Sequence, residues 1–278
     1  MILNYLTVAL RNLLRNKVYS IINILGLAVG IACCLLIYTY IRFEVGYDKH
    51  HSNADRICRV LRESRFPDGR SQVLLGTSGP LAGVLRQEIP EVEASTRRWR
   101  TWTGFRHNDR VLSGFLTVVD ESYFRIFDHI LEDGVSPLVA LRAPGTILVG
   151  RAIANRLLGE VDPVGETITV MGGEYTISGV LRDPPRNASY VPWFITIHLP
   201  EKYHRPYWLD WRPILHRPAQ TYVLLRKGAD PAAAQAKIQT FIGKYLGPDY
   251  ITTETYHLIN LPVFERSASR SLLNPEEV

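Results

Sequence analysis

The chain has 278 residues and 46% apolar content, enough to bury a core and incompatible with intrinsic disorder. Its 20 glycines and 17 prolines are ordinary usage, which excludes collagen-like and proline-rich low-complexity chains. The net charge of +5 depends on position: of 32 basic residues, Arg11, Arg15 and Lys17 lie in the first 41, where there is no acid, and the remaining 29 face all 27 acids. That near-neutral remainder argues against nucleic acid as a partner.

Residues 1–19 read as an amphipathic helix on the cytoplasmic leaflet. Leu3, Leu6, Leu10, Leu13 and Leu14 recur at helical spacing, while Asn4, Arg11 and Arg15 occupy another face. Residues 20–41 carry no charge, and the stretch Ile21–Ile41 as a helix spans about 31 Å, which matches a bilayer's hydrocarbon core. A transmembrane helix is predicted. Arg11, Arg15 and Lys17 precede it as membrane-surface residues, and Glu44, Asp48 and Asp55 follow, so the positive-inside rule places the amino terminus in the cytoplasm and the rest outside. A cleaved signal peptide has a shorter apolar stretch, and a lipoprotein box at Cys33 would give way to a polar tether, so neither fits the run Leu35-Leu36-Ile37-Tyr38. Gly26 and Gly30 form a Gly-x-x-x-Gly pair, a candidate helix-packing face.

After Tyr47 the sequence reads as short strands and a few helices. Arg56–Arg65 and Gln72–Thr77 flank a turn at Pro67-Asp68-Gly69, and Pro80–Ile89 is a helix with Ser78 as its cap. Strands follow at Ala94–Arg106 and Val111–Val119, then a short helix at Asp120–Phe127 with Tyr123, Phe124 and Phe127 buried. Ile147–Gly150 is a strand feeding the helix Arg151–Leu158, which Gly159 ends. A hairpin joins Glu166–Val170 to Glu174–Arg182 around Gly172-Gly173. A Trp- and Pro-rich stretch leads to a strand at Thr221–Lys227. Asp230 then caps a helix whose core stripe is Ile238, Phe241, Ile242 and Tyr245. Residues 266–278 form a polar tail. The predicted class is α+β.

Three cysteines, with Cys33 and Cys34 adjacent, supply neither a disulfide framework nor Cys-x-x-Cys spacing. The chain has no Gly-x-x-x-x-Gly-Lys-[Ser/Thr], Gly-x-Ser-x-Gly or His-Glu-x-x-His sequence, so no nucleotide cofactor, catalytic residue or metal ligand is assigned. His50 and His51 beside Asp48 would point to opposite sides of an extended chain, which argues against a shared ion. Arg97–Arg106 mixes bases with aromatics, but the alternation of Trp99, Thr101, Thr103 and Phe105 against the arginines is that of a half-buried strand. Cys58 reads as a small core residue.

Several stretches resemble the MacB/FtsX-like family of ABC transporter permeases. Ala9–Lys17 with Asn23–Gly30 is similar to that family's leading helix and first span, and Glu44–His51 with Ala54–Ile57 to its junction with a periplasmic core domain. Val119–Phe124, Asp162–Glu166 and Ser178–Pro185 continue the ordered series. The resemblance implies a two-lobed mixed domain over residues 42–265, with a β-rich inserted lobe. It also implies a non-enzymatic permease subunit working with a separate cytoplasmic ATPase that binds the ATP, as a dimer in the complete transporter. Family members continue into three more spans, so the resemblance implies a fragment, a truncated permease or half of a split permease whose other spans lie on a second chain. The competing reading is a single-pass anchored binding or adaptor protein.

Overall fold

A computed structural model of the chain describes residue 8 and residues 11–66, 68–198, 219–246 and 254–261. It divides into Met1–Gly46 and Tyr47–Val278.

In the first unit, helix α1 runs over Lys17–Val45, 29 residues, past both ends of the predicted 20–41 span. At 1.5 Å per residue it is about 43 Å long. Its large apolar side chains face outward all round, Val18 at 74% and Leu36 at 69% exposed, and Ser20 is its one buried residue. A core helix of a water-soluble protein buries such a surface; a membrane span does not. Its serine and threonine hydroxyls are satisfied within the unit, as hydrocarbon demands. Ser20 Oγ donates to the Leu13 carbonyl at 3.0 Å across the bend at Asn16, and Thr39 Oγ1 to that of Leu35 at 2.9 Å. Residues 11–15 are helical, with Leu13 and Leu14 exposed. Leu3, Asn4, Leu6 and Leu10 lie outside the described residues.

The second unit, the head, is built on one mixed sheet in the order β10-β1-β9-β3-β4-β8-β5-β7-β6. Its strands are β1 (Ile57–Arg65), β2 (Ser71–Leu74), β3 (Val92–His107), β4 (Arg110–Val119), β5 (Thr146–Gly150), β6 (Thr167–Val170), β7 (Gly173–Leu181), β8 (Phe194–Thr196), β9 (Gln220–Leu225) and β10 (Glu254–Asn260). Helices α2 (Leu81–Glu88), α3 (Tyr123–Ile126), α4 (Pro137–Ala140), α5 (Arg151–Leu158) and α6 (Pro231–Leu246) are interspersed.

The predicted lobes are two ends of this sheet. At one end, β10, β1, β9 and the first half of β3 join α2 and α6 around a core of Val60, Leu81, Leu85, Val223, Ile238 and Tyr256. At the other, β6 pairs back onto β3 (Phe105 with Val170), so β3, β4, β8, β5, β7 and β6 close into a ring. Closure leaves little strand edge open to water. The ring encloses Trp99, Phe105, Leu116, Ile147, Ile168, Ile177 and Phe194, with α5 supplying Ile153 and Leu157. The alternation read from Arg97–Arg106 holds at Trp99 and Phe105, buried against exposed Arg100 and Arg106. Between the two ends, Tyr123, Phe127, Leu131, Leu148, Leu181 and Tyr222 form a third cluster.

The structure corrects several local expectations. The hairpin turn is Met171-Gly172, not Gly172-Gly173: both have positive φ (53° and 76°), and Val170 pairs with Gly173. Two consecutive positive-φ residues make a type I′ turn, and Met fills a place that Asn or Gly usually takes. Ser78 makes no cap bond to α2, and its buried hydroxyl lacks a hydrogen-bond partner among the described residues. Tyr245 is 38% exposed: its ring lies against Phe241, with centroids 4.6 Å apart, but at the edge of the stripe, where its hydroxyl meets Glu88. Phe124 is half-buried rather than buried. The Ile242 side chain, residues 199–218 and the tail lie outside the described residues. Asp230 does cap α6, accepting from the Ala232 N–H at 3.0 Å, and Gly159 (φ 74°) ends α5.

Candidate functional site

A cleft of about 270 Å³ opens in the head where the third cluster meets the loop after β7. Its walls come from separate parts of the chain: residues 50–51, Arg98 on β3, Tyr123 through Ile130, and the Arg182–Pro192 segment. Local sequence accounts for these positions. Phe127 and Tyr123 are driven inward by their apolar area, carrying Asp128 and His129 with them, and Pro184-Pro185 stops β7 from continuing.

Three imidazoles gather here. The His50 and His51 ring centroids lie 4.0 Å apart, His51 meets the Phe127 edge at 5.2 Å, and His129 stacks on Tyr123 at 5.3 Å with its Nε2 3.1 Å from the Tyr123 hydroxyl. Burial holds all three below the ordinary histidine range, His51 at about 4 and His129 at about 3, so the latter two are neutral near pH 7. Burial likewise pushes the Tyr123 and Tyr190 hydroxyls up. Arg98 supplies a fixed positive charge, sandwiched at 4.7 Å and 4.9 Å from the Tyr190 and Tyr222 ring centroids, with its Nε donating to Gln220 at 2.8 Å.

The turn at residues 46–50 is tied to this cleft by Asp48. Its N–H donates to the Asn187 carbonyl at 3.0 Å, and its Oδ1 accepts from the Ser189 N–H at 2.9 Å. Asp48 is 1% exposed and has φ 54°. That left-handed residue overturns the extended-chain reading of His50 and His51: the chain turns here, and both rings lie on one side. The signal was present in sequence, since Asp after Gly-Tyr tolerates this conformation more readily than most residues. His129 carried no local signal, because beside Tyr123 its ring meets His51 and Tyr190, which only the fold brings near.

Of the residues singled out from sequence, Gly26 and Gly30 lie one turn apart on α1, and a Cβ added at either would meet nothing within 4 Å among the described residues. Arg11, Arg15 and Lys17 are exposed. Cys58 is buried in the core, as expected, and burial pushes its thiol up to about 11. Arg97 is bound to Asp120 at 2.6 Å, a structural pairing that holds β3 to the end of β4.

A family model described as the MacB-like periplasmic core domain matches residues 20–241, most of the chain, and the chain belongs to that family. Among solved structures it is similar to a domain of a protein described as a permease, from Porphyromonas gingivalis. That match has 22% identity and a TM-score of 0.63, covering 76% of this chain and 92% of that one. The periplasmic region of MacB from Actinobacillus actinomycetemcomitans matches at 11% identity and a TM-score of 0.54, covering 80% and 94%. The extracellular domain of the noncanonic ABC-type transporter YknZ from Gram-positive bacteria also has 11% identity and a TM-score of 0.54, covering 73% and 100%. At these identities the likeness is one of fold. No curated protein matches the chain.

Proposed function

We propose that this MacB-like chain is the membrane-anchored, extracytoplasmic core portion of an ABC transporter permease, passing ATPase-driven movement across the membrane to substrates or partners outside. The observation that carries the reading is the sequence of parts. An unburied apolar helix, preceded by Arg11, Arg15 and Lys17, leads directly into a domain of a permease family. On this reading residues 1–19 lie on the cytoplasmic leaflet, 20–41 span an inner membrane, 42–265 stand in the periplasm and 266–278 form a tail. Gly26 and Gly30 pack against another span. A cytoplasmic ABC ATPase binds the nucleotide, the remaining spans come from the same protein or a second permease chain, and the complete transporter is a dimer.

The head offers a route for that movement. Asp48 follows the last residue of the first unit by two positions and is bonded to Asn187 and Ser189. The neighbouring Tyr190 donates to Thr117 on β4 at 2.8 Å and stacks on Arg98 of β3. Displacement of the turn is thereby delivered to β4 and to β3, the strand that both ends of the sheet share.

Orientation is tested by labelling S71C in intact cells with a membrane-impermeant maleimide, in a C33S/C34S background. Ser71 is exposed, and the raised thiol of buried Cys58 keeps background low. Labelling without lysis is the expected result; labelling only after lysis refutes the topology. Co-purification of an ATPase with the chain from native membranes tests the partnership.

A further inference from the structure

In the turn after α1, Asp48, His50 and His51 each offer a donor atom, and the three lie within 4.8 Å of one another. An independent observation marks the same place. Asp48 is 1% exposed, its Oδ1 is used by Ser189, and its Oδ2 is buried with no hydrogen-bond partner among the described residues. A carboxylate oxygen out of water with nothing to bind is costly, so the fold leaves a place here for a positive group. Each imidazole in its neutral form keeps a lone pair for a ligand.

We propose that Asp48, His50 and His51 bind a divalent transition-metal cation of the zinc class. Two imidazole nitrogens and one carboxylate oxygen suit a borderline cation; magnesium and calcium require oxygen-rich sites. Tetrahedral bonds of about 2.1 Å set donors about 3.4 Å apart, so the three atoms close by at most about 1.4 Å and water takes the fourth position. In the free protein the Asp128 N–H donates to His51 Nδ1 at 3.1 Å. The neutral ring therefore carries its proton on Nε2, and coordination through Nδ1 exchanges the Asp128 bond for the metal with no loss of a proton. The bound ion would fasten the turn that Asp48 already ties to Asn187 and Ser189. The site requires neither the span nor an ATPase to act.

The test is titration calorimetry of the full C33S/C34S chain in detergent micelles with zinc chloride, magnesium chloride serving as the comparison. D48N keeps an acceptor for Ser189 and loses the charge on Oδ2; H50A removes a ligand that makes no hydrogen bond elsewhere in the described fold. Each is expected to weaken zinc binding at least about tenfold, with magnesium giving no heat of binding. Long-range proton–nitrogen spectra should show zinc moving His51 Nδ1 and leaving Nε2 protonated. Zinc binding that both variants leave unchanged, or no zinc binding by the parent, overturns the proposal. Should H50A lower the metal-free melting temperature, D48N, which keeps the Ser189 bond, decides.

Discussion

In α1 the large apolar side chains face outward along 29 residues, while in the head Ile57, Leu85 and Phe194 are fully buried and polar groups are drawn inside beside them. One rule gives both outcomes, because apolar surface leaves water by whichever route is open: into a core for the head, into lipid for α1. The polar groups differ accordingly. In α1, Ser20 and Thr39 are satisfied by nearby carbonyls, whereas the head can hold Asp48 and Arg98 inside because distant parts of the chain bring them partners, Ser189 for Asp48 and Gln220 for Arg98.

Substitutions can break that comparison. The largest effect is expected from F194A, which empties a fully buried site stacked on Phe105 at 3.9 Å; a loss of about 3–5 kcal/mol is expected by denaturant unfolding. An equally large change at Leu36 should leave the head's unfolding untouched. For the helix the telling change is L27R near its centre, expected to cost about 2.5–3.5 kcal/mol of insertion and read as chain released from membranes by alkaline carbonate. An α1 that lives in water would tolerate it. Next comes acid. His129 has its folded pKa held at about 3, below the unfolded value near 6.5, so the unfolded state takes up the proton first. Stability is full above about pH 6.5 and falls by up to about 1.4 kcal/mol per pH unit below it, levelling near pH 3. H129Q should flatten this slope in melting curves taken at successive pH values. The smallest effect is expected from D230A, which removes the cap on Ala232 and should cost about 1 kcal/mol.

The legible parts of the sequence were those in which local chemistry and burial agree. The apolar run of α1, the alternation of Trp99 and Phe105, and the Gly150–Gly159 frame around α5 each state their structure within a few residues. β10 did not, because ETYHLIN buries Glu254 only by virtue of Ser64 and Arg62 on β1, 190 residues away. β8 is three residues long and is recruited by β4 and β5 from a stretch rich in Trp and Pro. The hairpin missed its register by one residue, since glycine pairs signal a turn but Met171 was the residue that took the strained angle. Of the cleft, Asp48, His50 and His51 were visible as a cluster but misjudged through one backbone angle, and His129 was invisible because a lone half-buried histidine leaves no pattern.

Strand β3 is bonded along Val92–Arg98 to β9 and along Arg98–His107 to β4, so its two halves are gripped by different neighbours with Arg98 at the changeover. Tension applied along such a strand strains many backbone bonds simultaneously in shear instead of unzipping them one by one. The two ends of the sheet are thus spliced like overlapping planks, and a pull on one is carried to the other with little give at the joint.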